Sequence, residues 1–428
     1  MRIIKVEDRG KIKEQMDELL KRSESDQSDI EKTVKDIIDN IKKRGDEALL
    51  EYTEKFDGVE LSDIKVTKEE VTAAREAVGE EFLEILEEAA ANIKEYHECE
   101  LEETWMKEFR PGVRLGQKIT PIGRVGIYVP GGKAGYPSTV LMDSIPAVVA
   151  GVESIAMVTP PLKDGRVDPY ILAAASVAGV DEIYKVGGAQ SVAALAYGTE
   201  TIAPVNKIVG PGNIYVATAK KQVFGKVAID MIAGPSEIGI LADENAKKEI
   251  IAADLLSQAE HDEMAASILV TTSSKFAEEV KEEVYRQIEL LPRQEIMTKS
   301  IDNYGTIFVA NTKEEAVDIM NEVAPEHLEV LFEDAESFVD SIKNAGAIFI
   351  GQYTPEPVGD YFAGPNHTLP TSGTAKFSSP LGTYDFFKRS SLLCYEKDAL
   401  ERIAEKVQSF AEKEGLFAHS NAVKKRFE

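Results

Sequence analysis

A glutamine and a histidine lie three residues apart at the end of a predicted helix. This helix begins near Ala246 and ends with LLSQAEHD, Leu255 to Asp262, which contains Gln258 and His261. Side chains three residues apart lie on one face of an α-helix and can contact one object. The two residues could therefore hold one metal ion, or they could form a polar helix end with a histidine at the negative end of the helix dipole.

Four of the five histidines lie in short polar segments. The segments SQAEH, APEHLE, GDYFAGPNH and AHSN contain His261, His327, His367 and His419. A neutral imidazole can bind a metal or transfer protons near neutral pH, and turns on an α/β scaffold often display such groups. The four segments together favour a catalytic or metal site. The fifth histidine, His97, lies in an acidic amphipathic helix, and we expect it at the surface.

Three glycine-rich turns each follow a predicted strand and precede a predicted helix. They are YVPGG at Tyr128, VGGAQ at Val186 and VGPGN at Val209. Ligands bind at this position in open parallel sheets, where helix N-termini expose N–H groups that suit a phosphate. The GxGxxG fingerprint does not occur, so tight strand-to-helix connections are an equally good interpretation of these turns.

Strands and helices alternate from Val113 to Gly351. After VRLGQKITPI and VGIYVP, which flank a turn, the strands are SIAMVTP, EIYKVG, KIVG, EIGILAD, SILVTT, GTIFVA and GAIFIG. This alternation predicts right-handed βαβ units and parallel sheets. The predicted fold class is α/β, with two tandem, incomplete Rossmann-like parallel-sheet domains and helical N-terminal and C-terminal segments.

The two ends of the chain are predicted to be helical. The helix KIKEQMDELLKR is followed by capping boxes at Ser28 with Glu31 and at Thr67 with Glu70, and then by EEFLEILEEAAANIKEY. We expect this acidic region to supply packing and dimer surface. The tail from Asp385 onward is mostly helical and ends in EGLFAHSNAV.

Length and charge exclude several classes of protein. A chain of 428 residues is too long for one ordinary core, so two or more domains are expected. The formal net charge of -26, without a basic stripe, argues against nucleic acid as a partner. No apolar run approaches a bilayer span, which argues against a membrane protein, and the first residues lack the apolar region of a secretory signal. We therefore expect a cytoplasmic protein.

The sequence closely resembles the histidinol dehydrogenase family over nearly the whole chain. Eight segments in order carry the resemblance: VGIYVPGGKAGYPSTVLM, VGGAQSVAALAYGTE, VGPGNIYVATAKK, AGPSEIGILAD, DLLSQAEHD, PEHLEV, GDYFAGPNHTLPTSGTAKFSSPLG and EGLFAH. It implies an NAD-dependent, four-electron oxidation of L-histidinol to L-histidine through bound L-histidinaldehyde, which is the final step of histidine biosynthesis.

The resemblance also implies the site residues. The zinc ligands, for one ion per site, are Gln258, His261, Asp360 and His419. The catalytic pair is Glu326 and His327. The substrate contacts are Ser236, Gln258, His261, His327, Asp360, His367, Glu414 and His419. The NAD contacts are Tyr128, Gln190 and Asn213.

The implied chemistry suits these residues. Each NAD accepts two electrons as hydride, so an alcohol becomes a carboxylate by two oxidations with a hydration between them. His327 is suited to accept the hydroxyl proton at each oxidation, and Glu326 can activate the water that converts the aldehyde to a gem-diol. The neutral amide of Gln258 is a weak ligand that leaves zinc strongly Lewis acidic. The metal would orient histidinol rather than attack it.

The resemblance divides the chain into four parts. Residues 1–24 form an N-terminal helical arm, and residues 25–128 with 237–380 form a first Rossmann-like domain that carries the metal and catalytic residues. Residues 129–236 form the second, NAD-binding domain. Residues 381–428 form a helical tail that completes the partner subunit's site in a homodimer with shared active sites.

Three other functions fit parts of the pattern. A zinc hydrolase would use similar ligands, but no HExxH motif occurs and four protein ligands leave no open position for a nucleophilic water. A conventional aldehyde dehydrogenase needs a thiolate. Carboxylates near Cys99 disfavour one, and the apolar run SLLCY places Cys394 in the core. The third alternative is a non-catalytic metal-binding protein.

Overall fold

A computed structural model of the protein describes residues 1–7, 9–21, 28–131, 135–180 and 182–428. In chain order the strands are β1 (Arg2–Lys5), β2 (Trp105–Arg110), β3 (Val113–Pro121), β4 (Arg124–Tyr128), β5 (Ser154–Thr159), β6 (Glu182–Lys185), β7 (Lys207–Val209), β8 (Ala228–Ile229), β9 (Glu237–Leu241), β10 (Ala266–Thr271), β11 (Thr306–Val309), β12 (His327–Val330), β13 (Ala347–Ile350) and β14 (Phe387–Tyr395). The α-helices are α1 (Arg9–Lys21), α2 (Ser28–Arg44), α3 (Asp46–Asp57), α4 (Lys68–Val78), α5 (Glu80–Glu98), α6 (Pro137–Val149), α7 (Pro169–Ala178), α8 (Gly188–Tyr197), α9 (Ile214–Val223), α10 (Lys248–Ala259), α11 (Ser274–Ile288), α12 (Gln294–Tyr304), α13 (Lys313–Val323), α14 (Glu356–Tyr361), α15 (Lys397–Lys413) and α16 (Phe417–Lys424). Short 3₁₀ helices span Ala335–Ser341, Thr374–Lys376 and Thr383–Asp385.

Two parallel sheets form the centre of the molecule. The first has the strand order β1-β11-β10-β9-β12-β13, and the second has the order β6-β5-β4-β7-β8. The strand pairs in these two sheets are parallel. The predicted α/β class, with two incomplete Rossmann-like sheets, is confirmed.

The strand sequences explain why both sheets are buried. Helices cover both faces of a parallel sheet, so its strands are apolar on both sides rather than alternating. Strands β9 (EIGIL) and β10 (ASILVT) are buried at every position, and β4, β5 and β6 are buried after their first residues. The apolar runs that predicted these strands therefore form the two cores.

In each sheet, strands are added first on one side of a starting strand and then on the other. Strand β4 lies between β5 and β7, and β9 lies between β10 and β12. Ligands commonly bind in the crevice that forms at such a reversal, at the carboxyl ends of the strands. The five-stranded sheet places its glycine-rich turns at these ends.

Helices α2 to α5 pack on the five-stranded sheet. Buried residues such as Val34 and Ile93 share cores with β4, β5 and β6. Helix α4 begins with the predicted capping box of Thr67 and Glu70. The predicted assignment of 25–128 to the other domain is wrong here, because β4 is the first strand of the βα units that build this sheet.

A third sheet is antiparallel, with the order β14-β3-β2. The predicted strands β3 and β4 therefore belong to different sheets, and the tail from Asp385 begins with a strand rather than a helix. Strand β2 is exposed throughout and β14 is mostly exposed, so neither shows the buried alternation that predicts a strand. Cys394 lies on β14 and is half-buried, not in the core as predicted.

The N-terminal segment is not only a helical arm. Strand β1 pairs with β11 at the edge of the six-stranded sheet, and α1 follows it. Four residues are too few to show a periodic pattern, so the sequence did not indicate this strand. The predicted boundary at residue 24 lies outside the described residues.

The last two helices pack mainly on each other. Arg402 of α15 donates a hydrogen bond to the carbonyl oxygen of Pro111. Further along, Val407 and Phe410 of α15 are exposed, as are Leu416 and Phe417 at the start of α16. Within the described residues, no helix has the length and apolar composition that a membrane crossing requires.

Candidate active site

The predicted catalytic pair lies at the amino-terminal end of β12. Helix α13 ends at Ala324, whose φ of 52° is left-handed, and Pro325 then leads into Glu326 and His327. Because β12 pairs with β9, the pair lies opposite the start of β9, where the N–H of Glu237 donates to Glu326 Oε2 at 2.9 Å. Both side chains are therefore held at a sheet edge and are almost fully buried.

The ring of His327 has a polar contact at each nitrogen. Nδ1 lies 3.2 Å from the carbonyl oxygen of Glu237, and Nε2 lies 3.3 Å from Asp360 Oδ1. Burial alone would lower the pKa of His327, but the charges of Glu356 and Glu326 and the contact with Asp360 outweigh it and raise that pKa well above its usual value. The environment therefore favours the protonated imidazole.

Glu326 also favours its protonated form, which for a carboxyl group is the neutral one. Burial raises the pKa of its carboxyl group to about 8, against the opposing charge of His327. The closest contact between the two side chains, from His327 Nδ1 to Glu326 Oε2, is 3.7 Å. An acid and a base with pKa values displaced toward or beyond neutrality lie side by side, which is typical of catalytic groups.

Helices α10 and α14 complete this face of the sheet. His327 and Glu329 are two residues apart on β12, so their side chains point to the same face. Asp360 of α14 lies near His327, and the N–H of Glu356, four residues earlier, donates to Glu329 Oε1 at 2.9 Å. Atoms of His327, Glu356 and Asp360 lie within 4.8 Å of one another and could hold a metal ion.

Sequence analysis missed Glu356. The side chain is 1% exposed, and its Oε2 accepts a hydrogen bond from the hydroxyl of Ser257 at 2.9 Å. Glu356 and Asp360 are four residues apart, the spacing of one helix face, so the sequence PEPVGDY contained a signal that could have found it. Of the predicted zinc set, this cluster contains Asp360.

A second pair of carboxyl groups lies behind this cluster. Burial and the charge of Asp254 raise the pKa of Glu329 to about 9, and burial raises the pKa of Asp254 to about 6. The raised pKa of Glu329 therefore favours its protonated form at neutral pH, and that of Asp254 favours the carboxylate. This proton lets several acids share one buried face without full mutual repulsion.

Gln258 is the most informative of the predicted metal ligands. Its side chain is 0% exposed, yet neither amide atom has a hydrogen-bond partner among the described residues. A buried polar group without a partner is uncommon because it loses its hydration without compensation. The unpaired amide fits a site whose partner is an ion or a substrate. His261 is exposed, just past the end of α10.

His367 lies between the two halves of the molecule. Its Nδ1 lies 3.1 Å from the carbonyl oxygen of Asp360, and its Nε2 lies 3.3 Å from the hydroxyl of Thr139 at the start of α6. Burial lowers the pKa of His367, so the ring is neutral at neutral pH. The structure thus places this residue beside Asp360, a member of the candidate metal site.

The prediction that His97 lies at the surface is wrong. It is 0% exposed, and its Nδ1 lies 2.8 Å from Glu100 Oε2. Its Nε2 lies 3.5 Å from the side-chain nitrogen of Asn366, the neighbour of His367. The acidic helix therefore has one buried face, and His97 supports the segment that carries His367.

Ser236 lies immediately before β9, at the same sheet edge as the catalytic pair. The N–H of Gly234 donates to the hydroxyl of Thr371 at 2.7 Å, and the N–H of Ser372 donates to Glu237 Oε1 at 3.2 Å. These bonds join the AGPSE segment to the chain that follows His367. Ser236 directly precedes Glu237, whose N–H donates to Glu326 Oε2.

The three residues predicted to contact NAD lie at the carboxyl edge of the five-stranded sheet. Tyr128 ends β4 and is 3% exposed, and its hydroxyl accepts the N–H of Gly188 at 3.3 Å. Gln190 lies in the first turn of α8, and Asn213 caps α9 by accepting from two of its N–H groups. The YVPGG turn runs into residues 132–134, which lie outside the described residues.

The two predicted site residues of the tail are not joined to this cluster. Glu414 directly follows α15 and His419 lies in α16, and both are exposed. Within the described part of the chain, no hydrogen bond or ion pair connects either side chain with the residues around His327. Cys99 is exposed and Cys394 Sγ lies 3.3 Å from Arg114, so neither thiol belongs to the cluster.

Comparisons with known proteins agree with this architecture. A family model described as histidinol dehydrogenase matches residues 20–427. The chain is 58% identical over 395 residues to a histidinol dehydrogenase of Bacillus licheniformis, covering 92% of this chain and 93% of that protein. It is 55% identical over 395 residues to that of Bacillus subtilis, covering 92% of each chain.

A solved structure gives the same result for the fold. The crystal structure of histidinol dehydrogenase from Elizabethkingia anophelis matches with a TM-score of 0.90 and 40% sequence identity, over 94% of this chain and 92% of that chain. Sequence and structure agree along nearly the full length. The chain therefore belongs to the histidinol dehydrogenase family, oxidoreductases of histidine biosynthesis.

Proposed function

We propose that the protein oxidises L-histidinol to L-histidine with two molecules of NAD, through bound L-histidinaldehyde. The observation that carries the proposal is the buried Glu326–His327 pair beside Asp360 and the unpaired amide of Gln258. The pair supplies an acid and a base, and the amide and carboxylate supply metal ligands. A bound metal would hold the polar substrate, and the catalytic pair would remove its protons in two successive oxidations.

The site is proposed to bind one zinc ion. Gln258, His261 and Asp360 would hold it, together with the partner subunit's His419. The donor set of amide, imidazole and carboxylate suits zinc, and the unpaired buried amide supports a ligand at this place. Bound zinc supplies a Lewis acid that orients the imidazole and amino group of histidinol. Glu356 is not among the ligands that the resemblance implies, and its Oε2 accepts a hydrogen bond from Ser257.

His327 is proposed to move the proton at each oxidation. Its Nδ1 faces a backbone carbonyl, which only accepts hydrogen bonds, so Nδ1 carries a hydrogen in either protonation state. The atom that gains or loses a proton is therefore Nε2. In the metal-free protein the carboxylates around His327 raise its pKa. Binding of Asp360 to the metal would withdraw one of these charges, and the neutral ring could then accept the proton of the alcohol at Nε2 and later that of the gem-diol.

Glu326 is proposed to activate the water of hydration. Its Oε2 accepts the N–H of Glu237, so Oε1 is the oxygen that can accept a proton from water. The raised pKa makes this carboxylate a stronger base than an ordinary glutamate. Ser236 and His367, which flank the pair, and the partner subunit's Glu414 would contact the substrate.

NAD is proposed to bind at the carboxyl edge of the five-stranded sheet, against Tyr128, Gln190 and Asn213. Bound NAD accepts the hydride that leaves the substrate carbon. The position at the reversal of strand order supports the assignment, since ligands of open parallel sheets bind there. His367, in contact with both halves, lies between this edge and the metal cluster.

The active unit is proposed to be a homodimer in which each tail completes the partner's site. Glu414 and His419 are exposed, and among the described residues neither side chain has a hydrogen bond or ion pair to the cluster of its own chain, which supports their action in the other subunit. The exposed apolar residues Val407, Phe410 and Phe417 offer a surface that association would bury. In a dimer with two-fold symmetry, each tail would contribute to the other subunit's site in the same way.

The test is the stoichiometry of the reaction. Purified protein with limiting histidinol and excess NAD should form two NADH per histidinol, because four electrons are removed, and histidine should be the product. Chelation should abolish the activity and added zinc should restore it. One NADH per substrate with free aldehyde as product would refute the four-electron function. Activity with no stoichiometric metal would refute the zinc assignment alone.

A further inference from the structure

A buried ion pair holds one of the glycine-rich turns. Lys220 of α9 pairs with Asp230, which follows β8, and their side chains are 2% and 1% exposed. The Lys220 ammonium also donates to the carbonyl oxygen of Gly210 at 2.8 Å, and the N–H of Gly210 donates to Asp230 Oδ2 at 2.8 Å. The two partners of one ion pair thus hold both polar backbone atoms of one glycine, an arrangement we call the Gly210 clamp.

Only glycine fits at position 210. Its φ of 110° lies in the left-handed region, and a Cβ there would lie 2.2 Å from the carbonyl oxygen of Tyr128 and 2.9 Å from Asp143 Oδ2. Asp143 is fully buried, and its Oδ1 accepts a hydrogen bond from Thr368, the neighbour of His367. The turn is therefore packed between the end of β4 and the segment that holds His367.

Stability alone is a weak explanation of the clamp. Removing two charges from water costs several kcal/mol, and an uncharged pair of similar volume often gives equal or greater stability. What the clamp does specify is a conformation. Lys220 lies two helical turns after Asn213, so its bond to Gly210 fixes the turn from Gly210 to Asn213 relative to the helix that follows it.

We propose that Lys220 and Asp230 are positioning residues of the cofactor site. Together they hold the turn that carries Asn213 in the shape that receives NAD, and both act through Gly210 rather than by touching reacting atoms. This inference rests on the proposed function, in which Asn213 contacts NAD. It adds two residues from outside the glycine-rich turns to the determinants of cofactor affinity.

The decisive variant is the double substitution Lys220→Met with Asp230→Asn. It removes both charges together, so no unpaired charge remains in the core, and the protein should fold. The KM for NAD should rise about tenfold, roughly 1.4 kcal/mol, while kcat and the KM for histidinol stay unchanged. Lys220→Arg alone keeps a cationic donor, so its KM for NAD should lie closer to that of the wild type than does the KM of the double variant.

A matched control exists in the same sheet. Lys207 donates to Asp385 Oδ1 at 2.7 Å and is also buried, but it lies at the opposite end of β7 from Gly210. Lys207→Met with Asp385→Asn should leave the KM for NAD unchanged. The proposal is overturned if the clamp variant keeps the wild-type KM for NAD, if the control raises it equally, or if the KM for histidinol rises in parallel.

Two further measurements separate failure of the clamp proposal from misfolding of the variant and from failure of the proposed function. Should this double variant fail to fold, Lys220→Gln with Asp230→Asn, which also removes both charges but keeps a polar group at each position, must still raise the KM for NAD or the proposal fails. Calorimetric titration of NAD into the wild type and the variants measures binding without turnover. If the wild type does not oxidise histidinol, the proposed function fails, and the titration still decides whether the clamp governs NAD binding.

Discussion

Gln258 is fully buried without a hydrogen-bond partner among the described residues, whereas His261, one turn later, is exposed past the end of the same helix. The two residues that could share one ion therefore affect the stability of the metal-free protein differently. The amide is a cost to the metal-free protein, because its hydration is lost without replacement. The imidazole remains in water and carries no such cost.

This difference predicts the effect of Gln258→Leu. In metal-free protein the substitution should raise the free energy of unfolding by about 1–3 kcal/mol, since an unpaired amide is replaced by an apolar side chain of similar size. The variant should no longer gain thermal stability when zinc is added. Melting curves with and without zinc, together with elemental analysis, measure both effects.

His261→Asn is the matched control for this experiment. It should also lose zinc, but its metal-free melting temperature should equal that of the wild type because the side chain is exposed. A metal-free Gln258→Leu protein less stable than the wild type would show that the amide has a partner and that this account of Gln258 is wrong.

His327→Asn should slow both oxidations by about 10²–10⁴-fold, because the same Nε2 is proposed to take the proton from the alcohol and from the gem-diol. Steady-state assays with histidinol and with histidinaldehyde as separate substrates measure the two steps. Histidinol binding to the zinc-loaded variant, measured by calorimetry, should persist. A variant that loses only one of the two oxidations would contradict a common route for the proton.

Glu326→Gln should mainly harm the oxidation of histidinaldehyde, because hydration precedes only that step. The carboxylate must be ionised to accept a proton, and burial raises its pKa to about 8. Aldehyde oxidation by the wild type should therefore increase as pH rises through about 8 and then level off. The variant should lack this pH dependence, and equal losses with both substrates would argue against the role in hydration.

Shared sites can be tested by mixing subunits. Dimers of His419→Asn alone or His327→Asn alone should be inactive, since every site lacks one residue. After dissociation and random reassembly, mixed dimers contain one intact site, so activity should return at roughly a quarter of the wild-type level. Native mass spectrometry confirms the mixed dimers. Continued inactivity in their presence would mean that the tail serves its own subunit.

Asp143→Asn should change how stability depends on pH. Burial raises the pKa of Asp143 from 3.8 to about 8, so the folded state binds a proton that the unfolded state releases between these values. The stabilising proton is fully present below about pH 4, and its contribution is lost as pH rises through about 8. Relative to the variant, the wild type should lose on the order of 1 kcal/mol per pH unit in this range. Parallel melting-temperature profiles for the two proteins would contradict a protonated Asp143.

The parts of the fold with long apolar runs were predictable from the sequence. Strands such as β9 and β10 and the helix that carries Gln258 lie close to their predicted positions, because buried parallel strands and their helices leave continuous patterns. Strands β2 and β14 were not predicted because they are mostly exposed, and β14 also pairs with β3 across a large sequence distance. The position of β4 in the five-stranded sheet depends on pairing that no local pattern encodes.

Some residues of the candidate site were likewise predictable from the sequence, and others were not. Resemblance to the family named His327, Asp360 and His367, and the structure brings these three together. Glu356 was missed because a glutamate in a short helix has no local sign of burial, and His97 was misplaced because its helix is acidic on the faces that remain exposed. Burial of single polar residues is a tertiary property, so the pattern of one helix cannot reveal it.

The two sheets present opposite ends to the site. Glu326 and His327 lie at the amino end of β12, whereas Tyr128 and Asn213 follow the carboxyl ends of β4 and β7. If substrate and cofactor bind as proposed, each is held by a different half of the molecule. Spent NADH can then depart and fresh NAD can enter while the aldehyde stays in place. Such independent exchange would protect a reactive intermediate from escape between the two oxidations.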